Sequence, residues 1–152
     1  MPKTIIIRHK KERKSKCSLQ PLVEHKDMDF YTYPHNLPEI PNNYIRLDVN
    51  APVLSRQDAE QGLLLLDGTW KLVEPMNKRY AHIPGRSLPI LKTAYPRVSK
   101  VFNDPDGGLA SIEALALSYF ILGKEWQSLL DGYYWKNQFI ELNQDFFNTV
   151  PS

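Results

Sequence analysis

The sequence predicts an α/β domain with a mainly parallel sheet flanked by helices, and three observations carry that prediction. Two uninterrupted apolar runs, Ile5-Ile6-Ile7 and Leu63 to Leu66, read as strands buried on both faces. Helical segments separate the strand segments along the chain, as in sheets built from crossover units. The length of 152 residues suits a single domain, 1–152. A domain of that size buries about two-thirds of the surface that its unfolded chain exposes.

Each element follows in order. Ile5 to Ile7 make a short first strand, and a basic segment, 8–16, leaves its C-terminal end. Residues 20–43 hold Pro21, Pro34, Pro38 and Pro41 with Asn36, Asn42 and Asn43, an extended or looped region with little room for a helix. Tyr44 to Val49 alternates enough for a strand. Ser55 caps a short helix, with Asp58 three residues on approximating a capping box. Leu63 to Leu66 is a buried strand, and a short helix follows between Lys71 and Arg79 despite Pro75. Leu88 to Thr93 reads as a further strand. The turn "NDPDGG" then leads into a long helix, Leu109 to Leu122, apolar nearly all round and broken mainly by Ser111, Glu113 and Ser118. Gly123 closes that helix, and helical stretches at 125–131 and 136–148 end the chain.

Composition bounds the function. No apolar stretch reaches the ~20 residues of a membrane span, which predicts no membrane partner. The patch Ile5 to Ile7 runs straight into positive charge, unlike a secretory signal. The single cysteine, Cys17, excludes an internal disulfide framework and a cysteine-rich zinc site, so a cytoplasmic protein is expected. The net charge of +2 is unevenly spread. Residues 1–16 carry Lys3, Arg8, Lys10, Lys11, Arg13, Lys14 and Lys16 against Glu12, a local +6 that leaves −4 for the rest. Such a segment suits a polyanion, and Arg8, Lys10, Lys11, Arg13, Lys14 and Lys16 are the expected RNA contacts; the alternative is a solvated basic tail.

In parallel sheets ligands bind outside the carboxyl ends of the strands, where Asp67-Gly68-Thr69-Trp70 stands. Asp67 can orient a ligand, act as a base or cap the next helix, and Trp70 offers an indole N–H and a flat face. Gly107-Gly108 is a weak signal of close backbone approach to a ligand. Neither GxGxxG nor GxxxxGK[ST] occurs, and GxSxG is absent. His9, His25, His35 and His82 lack metal-site pairing, so no metal is expected.

Several segments in collinear order resemble one family: "HKKERKSKCSLQPL", "LLLLDGTW", "RSLPILKTAYPRVSK", "GLASIEALALSYFILGK" and "FIELNQDFF". Their D-x-x-W, L-P-x-L, A-x-P and L-x-x-[VI]-E-A patterns resemble the small-subunit rRNA aminocarboxypropyltransferases of ribosome biogenesis. The Asp-Gly-Thr-Trp stretch also resembles DTW-domain proteins, and both groups belong to the wider superfamily of knotted SPOUT-type RNA-modifying enzymes. Three departures stand out: Ala94-Tyr95-Pro96 for A-N-P, Val98-Ser99-Lys100 for N-Y-G, and Leu19 where the Cys-Thr-Gly turn has glycine.

The resemblance implies a C-terminal trefoil knot and S-adenosyl-L-methionine as cofactor. It implies that Trp70, Asp67 and Ser18 hold the amino-acid end of the cofactor, with Asp67 a catalytic base or orienter. Backbone at Leu47, Asp48 and Val49, at Leu91, Thr93 and Ala94, and at Leu109 and Ala110 would cradle adenine and ribose. The implied reaction is aminocarboxypropyl transfer to N3 of a uridine or pseudouridine in small-subunit rRNA or a pre-ribosomal particle, by a monomer. Tyr31, Tyr33, Tyr95 and Tyr134 are candidates for stacking on splayed bases. A tRNA uridine target, an RNA methyltransferase of the same fold and a non-enzymatic RNA-binding assembly factor are the competing readings.

Overall fold

The computed structural model describes residues 2–11, 18–68, 70–96 and 109–149; of Trp70 it describes the backbone alone. Five strands form one sheet: β1 Thr4–His9, β2 Met28–Tyr33, β3 Tyr44–Leu47, β4 Gly62–Asp67 and β5 Gly85–Arg86. Their order is β2-β1-β4-β3-β5, and every pairing is parallel. The helices are α1 Trp70–Arg79, α2 Ser111–Ile121, α3 Lys136–Leu142 and α4 Gln144–Phe147.

The apolar runs become central strands because both sheet faces are covered. Strand alternation turns Ile6, Ile45, Leu63 and Leu65 to one face and Ile5, Ile7, Leu64 and Leu66 to the other. Met76 and Tyr80 of the α1 segment, with Ile83, seal the second face. Ile112, Leu115, Ala116, Leu117 and Tyr119 of α2 pack on the first, over Leu129, Leu130 and Phe139. Sheet below and C-terminal helices above explain why α2 is apolar all round. Its end is a Schellman motif: Gly123 sits at φ 76, its N–H bonds Phe120 O, and Lys124 N–H bonds Tyr119 O at 2.8 Å.

Three expectations need correction, and the extended stretch 20–43 holds a strand that its composition did not specify. β2 lies inside the proline-rich stretch, pairing Met28–Tyr33 with the whole of β1. Leu88–Thr93 is not a strand; Asn143 of the C-terminal region holds it instead, accepting from Lys92 N–H at 2.8 Å and donating to Lys92 O at 2.8 Å. That same Asn143 divides the expected helix 136–148 into α3 and α4, because its side chain also bonds Phe139 O. The stretch 125–131 is a 3-10 turn, Gln127–Leu130. The capping box at Ser55 is present, with Gln57 N–H on Ser55 Oγ and Ser55 N–H on Asp58. The turn "NDPDGG" lies outside the described residues.

The path of the chain opens a crevice. β1 leads to β2 across the α2 face, where Leu19 and Leu22 join the core, whereas β4 leads through α1 across the other face to β5. Adjacent strands whose connections leave to opposite faces part at their carboxyl ends, and ligands bind in the gap.

Candidate active site at the strand ends

Arg8 and Asp67 flank that gap as ladder partners on β1 and β4, both buried, at 8% and 5% exposure. Asp67 follows Leu63 and Leu65 on the α2 face, and its Oδ1 accepts from Ser111 Oγ at 2.5 Å. Ser18 reaches the same helix end: its Oγ accepts from Ile112 N–H at 3.1 Å, taking one of the amide donors that a helix N-terminus leaves unpaired. As an acceptor there, Ser18 keeps its own O–H to donate. Gly68 carries the chain out of β4 at φ 156, a conformation that side chains resist, which accounts for glycine after Asp67. The strand ends and the start of α2 thus bring together a carboxylate and two hydroxyls, with a buried cation on the neighbouring strand.

Glu113 organises the second wall. It is fully buried, yet its carboxylate accepts from Thr93 Oγ1 at 2.5 Å, Ala94 N–H at 2.9 Å, Ala110 N–H at 2.9 Å and Tyr133 Oη at 2.9 Å. Four donors satisfy a charge that would otherwise be costly to bury. Burial and the adjacent Glu113 charge push the Tyr133 hydroxyl far up, so it stays a neutral donor. One side chain therefore ties the Thr93–Ala94 loop to the Leu109–Ala110 entry of α2. A cavity of about 590 Å³ opens beside Thr93 and Ala94 under Gln138, Glu141 and Leu142 of α3.

The expected site residues divide accordingly. Ser18 and Asp67 converge on the start of α2; Thr93, Ala94 and Ala110 converge on Glu113, with Leu109 next in the chain. Leu91 is core, and Leu47 packs against it from the end of β3. Asp48 turns elsewhere, to Arg46 at 3.0 Å, and Val49 is 80% exposed. Trp70 opens α1, one residue past the turn. Lys10 and Lys11 are exposed beyond β1, whereas Arg8 is buried within it; Arg13, Lys14 and Lys16 lie outside the described residues. Glu113, Ser111 and Tyr133 were not anticipated as site residues, although a lone carboxylate in an apolar helix was a usable signal.

Among the described residues no group of three or more His, Cys, Asp or Glu is placed to hold a metal ion. None of their helices is long and apolar enough to cross a membrane. Residues 47–150 match the family described as "Ribosome biogenesis protein, C-terminal". The solved SAM-dependent rRNA:acp-transferase Tsr3 from Vulcanisaeta distributa is similar over 96% of this chain and 80% of its own, with a TM-score of 0.76 and 26% identity. No curated protein matches.

Proposed function

Because this chain belongs to the ribosome biogenesis protein, C-terminal, family, we propose that it is an RNA-modifying transferase. It transfers the 3-amino-3-carboxypropyl group of S-adenosyl-L-methionine to N3 of a uridine-type base in small-subunit rRNA, and methylthioadenosine leaves. The observation that carries this reading is the likeness, over 96% of the chain, to an SAM-dependent rRNA:acp-transferase. The site supports it. Arg8 and Asp67 put a cation and a carboxylate on neighbouring strand ends, which suit an amino-acid end, and Glu113 presents two backbone loops that suit a nucleoside.

S-adenosylmethionine supplies a sulfonium with three attackable carbons. Ser18 and, as the family resemblance implies, Trp70 would anchor the carboxylate end, which would present the γ-carbon rather than the methyl to the base. The N3–C bond forms as the C–S bond breaks, and the N3 proton passes to Asp67 or to a group that Asp67 orients. Alignment of the two reacting atoms supplies much of the barrier reduction. Backbone at Leu47 to Val49, Leu91 to Ala94 and Leu109 to Ala110 cradles adenine and ribose. Lys10 and Lys11, with Arg13, Lys14 and Lys16, grip phosphates, and Tyr31, Tyr33, Tyr95 and the exposed Tyr134 offer faces for bases.

The order of the D-x-x-W, L-P-x-L and L-x-x-[VI]-E-A segments supports three finer statements: a trefoil knot in the C-terminal half, kinship with SPOUT-type and DTW-domain enzymes, and one S-adenosylmethionine-binding RNA-modification unit spanning 1–152. We place it in the cytoplasm as a monomer acting on the pre-ribosomal small subunit.

The test is to incubate the purified protein with S-adenosylmethionine and total RNA and identify the small-molecule product by mass spectrometry. Methylthioadenosine, with the label mapped to small-subunit rRNA, is expected; mapping to tRNA would change the target. S-adenosylhomocysteine would make it a methyltransferase. Neither product would leave an RNA-binding assembly factor.

A further inference from the structure

Arg8 is a buried cation at the C-terminal end of β1, and the reaction scheme gives it no contact of its own. Its Nη1 donates to Gln20 Oε1 at 3.1 Å, and its Cζ lies 5.0 Å from the centre of the Phe30 ring. Among the described residues no carboxylate pairs with it within 4 Å. A guanidinium has five N–H donors, and these partners engage one. A charge buried without an opposite charge is costly unless a ligand supplies one. Gln20 and Phe30 also restrict where the planar fork can point, so its geometry is prepared before a ligand arrives.

The backbone ladder partner of Arg8 is Asp67, so a cationic and an anionic residue occupy neighbouring strand ends. An α-amino acid group carries the complementary pair, an ammonium beside a carboxylate. We propose that Arg8 is a substrate-binding residue whose guanidinium receives the α-carboxylate of the aminocarboxypropyl group, and that it sets the preference for a carboxylated donor. The fork of a guanidinium matches a carboxylate in a bidentate pair, which a lysine ammonium cannot reproduce. The inference rests on the reading of S-adenosylmethionine as donor. It also separates Arg8 from Lys10 and Lys11, which are exposed on the turn beyond and suit phosphates.

The experiment is calorimetric titration of the full chain, without RNA, by three ligands: S-adenosylmethionine, decarboxylated S-adenosylmethionine and methylthioadenosine. The wild type should bind the carboxylated donor at least about tenfold more tightly than the decarboxylated one. Arg8→Gln should weaken S-adenosylmethionine roughly 10–100-fold, leave methylthioadenosine within about twofold, and so erase the preference. Arg8→Lys, which keeps the charge but loses the fork, should lose part of it. Equal weakening of all three ligands would show a structural role and overturn the proposal, as would an undiminished preference in Arg8→Gln. If Arg8→Gln fails to fold, the same comparison in Arg8→Lys decides: a loss confined to S-adenosylmethionine supports the proposal, and a uniform or absent loss overturns it. Wild-type protein that binds none of the three would instead overturn the functional reading, and this inference with it.

Discussion

At the scale of single residues, Asp67 carries the sharpest expectation. Asp67→Asn keeps an acceptor for Ser111 Oγ, so the fold should survive while the capacity to take a proton is lost. If the carboxylate is the base, turnover should fall about 10²–10⁴-fold with an unchanged melting temperature. Single-turnover kinetics beside a thermal melt check this, and full turnover in a folded variant would remove the role. Asp67 and Ser18 could be named as candidates from the sequence because each stands in a local motif. Glu113 was not: its partners Thr93 and Tyr133 are each 20 residues away, and only the fold brings them to one carboxylate. The burial of Arg8 was hidden by a strand boundary. An expected strand of Ile5–Ile7 leaves it on a solvated arm, whereas a strand reaching His9 turns it inward.

At the scale of elements, apolar content alone was a poor guide after β5. Leu88 to Thr93 has the composition of a strand, yet Pro89 cannot donate to a ladder, and side chains from elsewhere bind the backbone in place of a neighbouring strand. Asn143 does this at Lys92 and Glu113 does it at Ala94. Asn143→Ala should therefore lower the unfolding free energy by about 1–3 kcal/mol, because it orphans polar backbone groups at Lys92 and Phe139. Denaturant unfolding measures that loss. Affinity for S-adenosylmethionine should fall with it, since Thr93 and Ala94 lose their anchor. A neighbouring substitution at exposed Asn137 provides the control; equal effects at both positions would refute the anchoring role. In the core beneath, Phe139 is fully buried, and Phe139→Ala should cost about 3–5 kcal/mol by the same assay.

At the scale of the whole molecule, the layered α/β architecture was legible because Ile5–Ile7 and Leu63–Leu66 have no polar face to show solvent. The uneven charge was legible too, and it predicts salt-sensitive binding. The logarithm of RNA affinity should fall linearly with the logarithm of salt, by about 0.7–0.9 per neutralised phosphate. Replacing Lys10 and Lys11 together by alanine should reduce that slope by about 1.5, and an unchanged slope would take this turn out of the interface. A wider consequence follows from how α2 is pinned. Its start is bonded to Ser18 and Asp67, 94 and 44 residues distant, and Tyr119 near its end is bonded to Thr4, 115 residues distant. No short piece of the chain contains the gap, so a ligand that binds it binds only the fully folded state. By mass action, donor at a hundred times its dissociation constant adds about 2.7 kcal/mol to global stability. The supply of S-adenosylmethionine and the survival of the folded protein are thus coupled through one equilibrium.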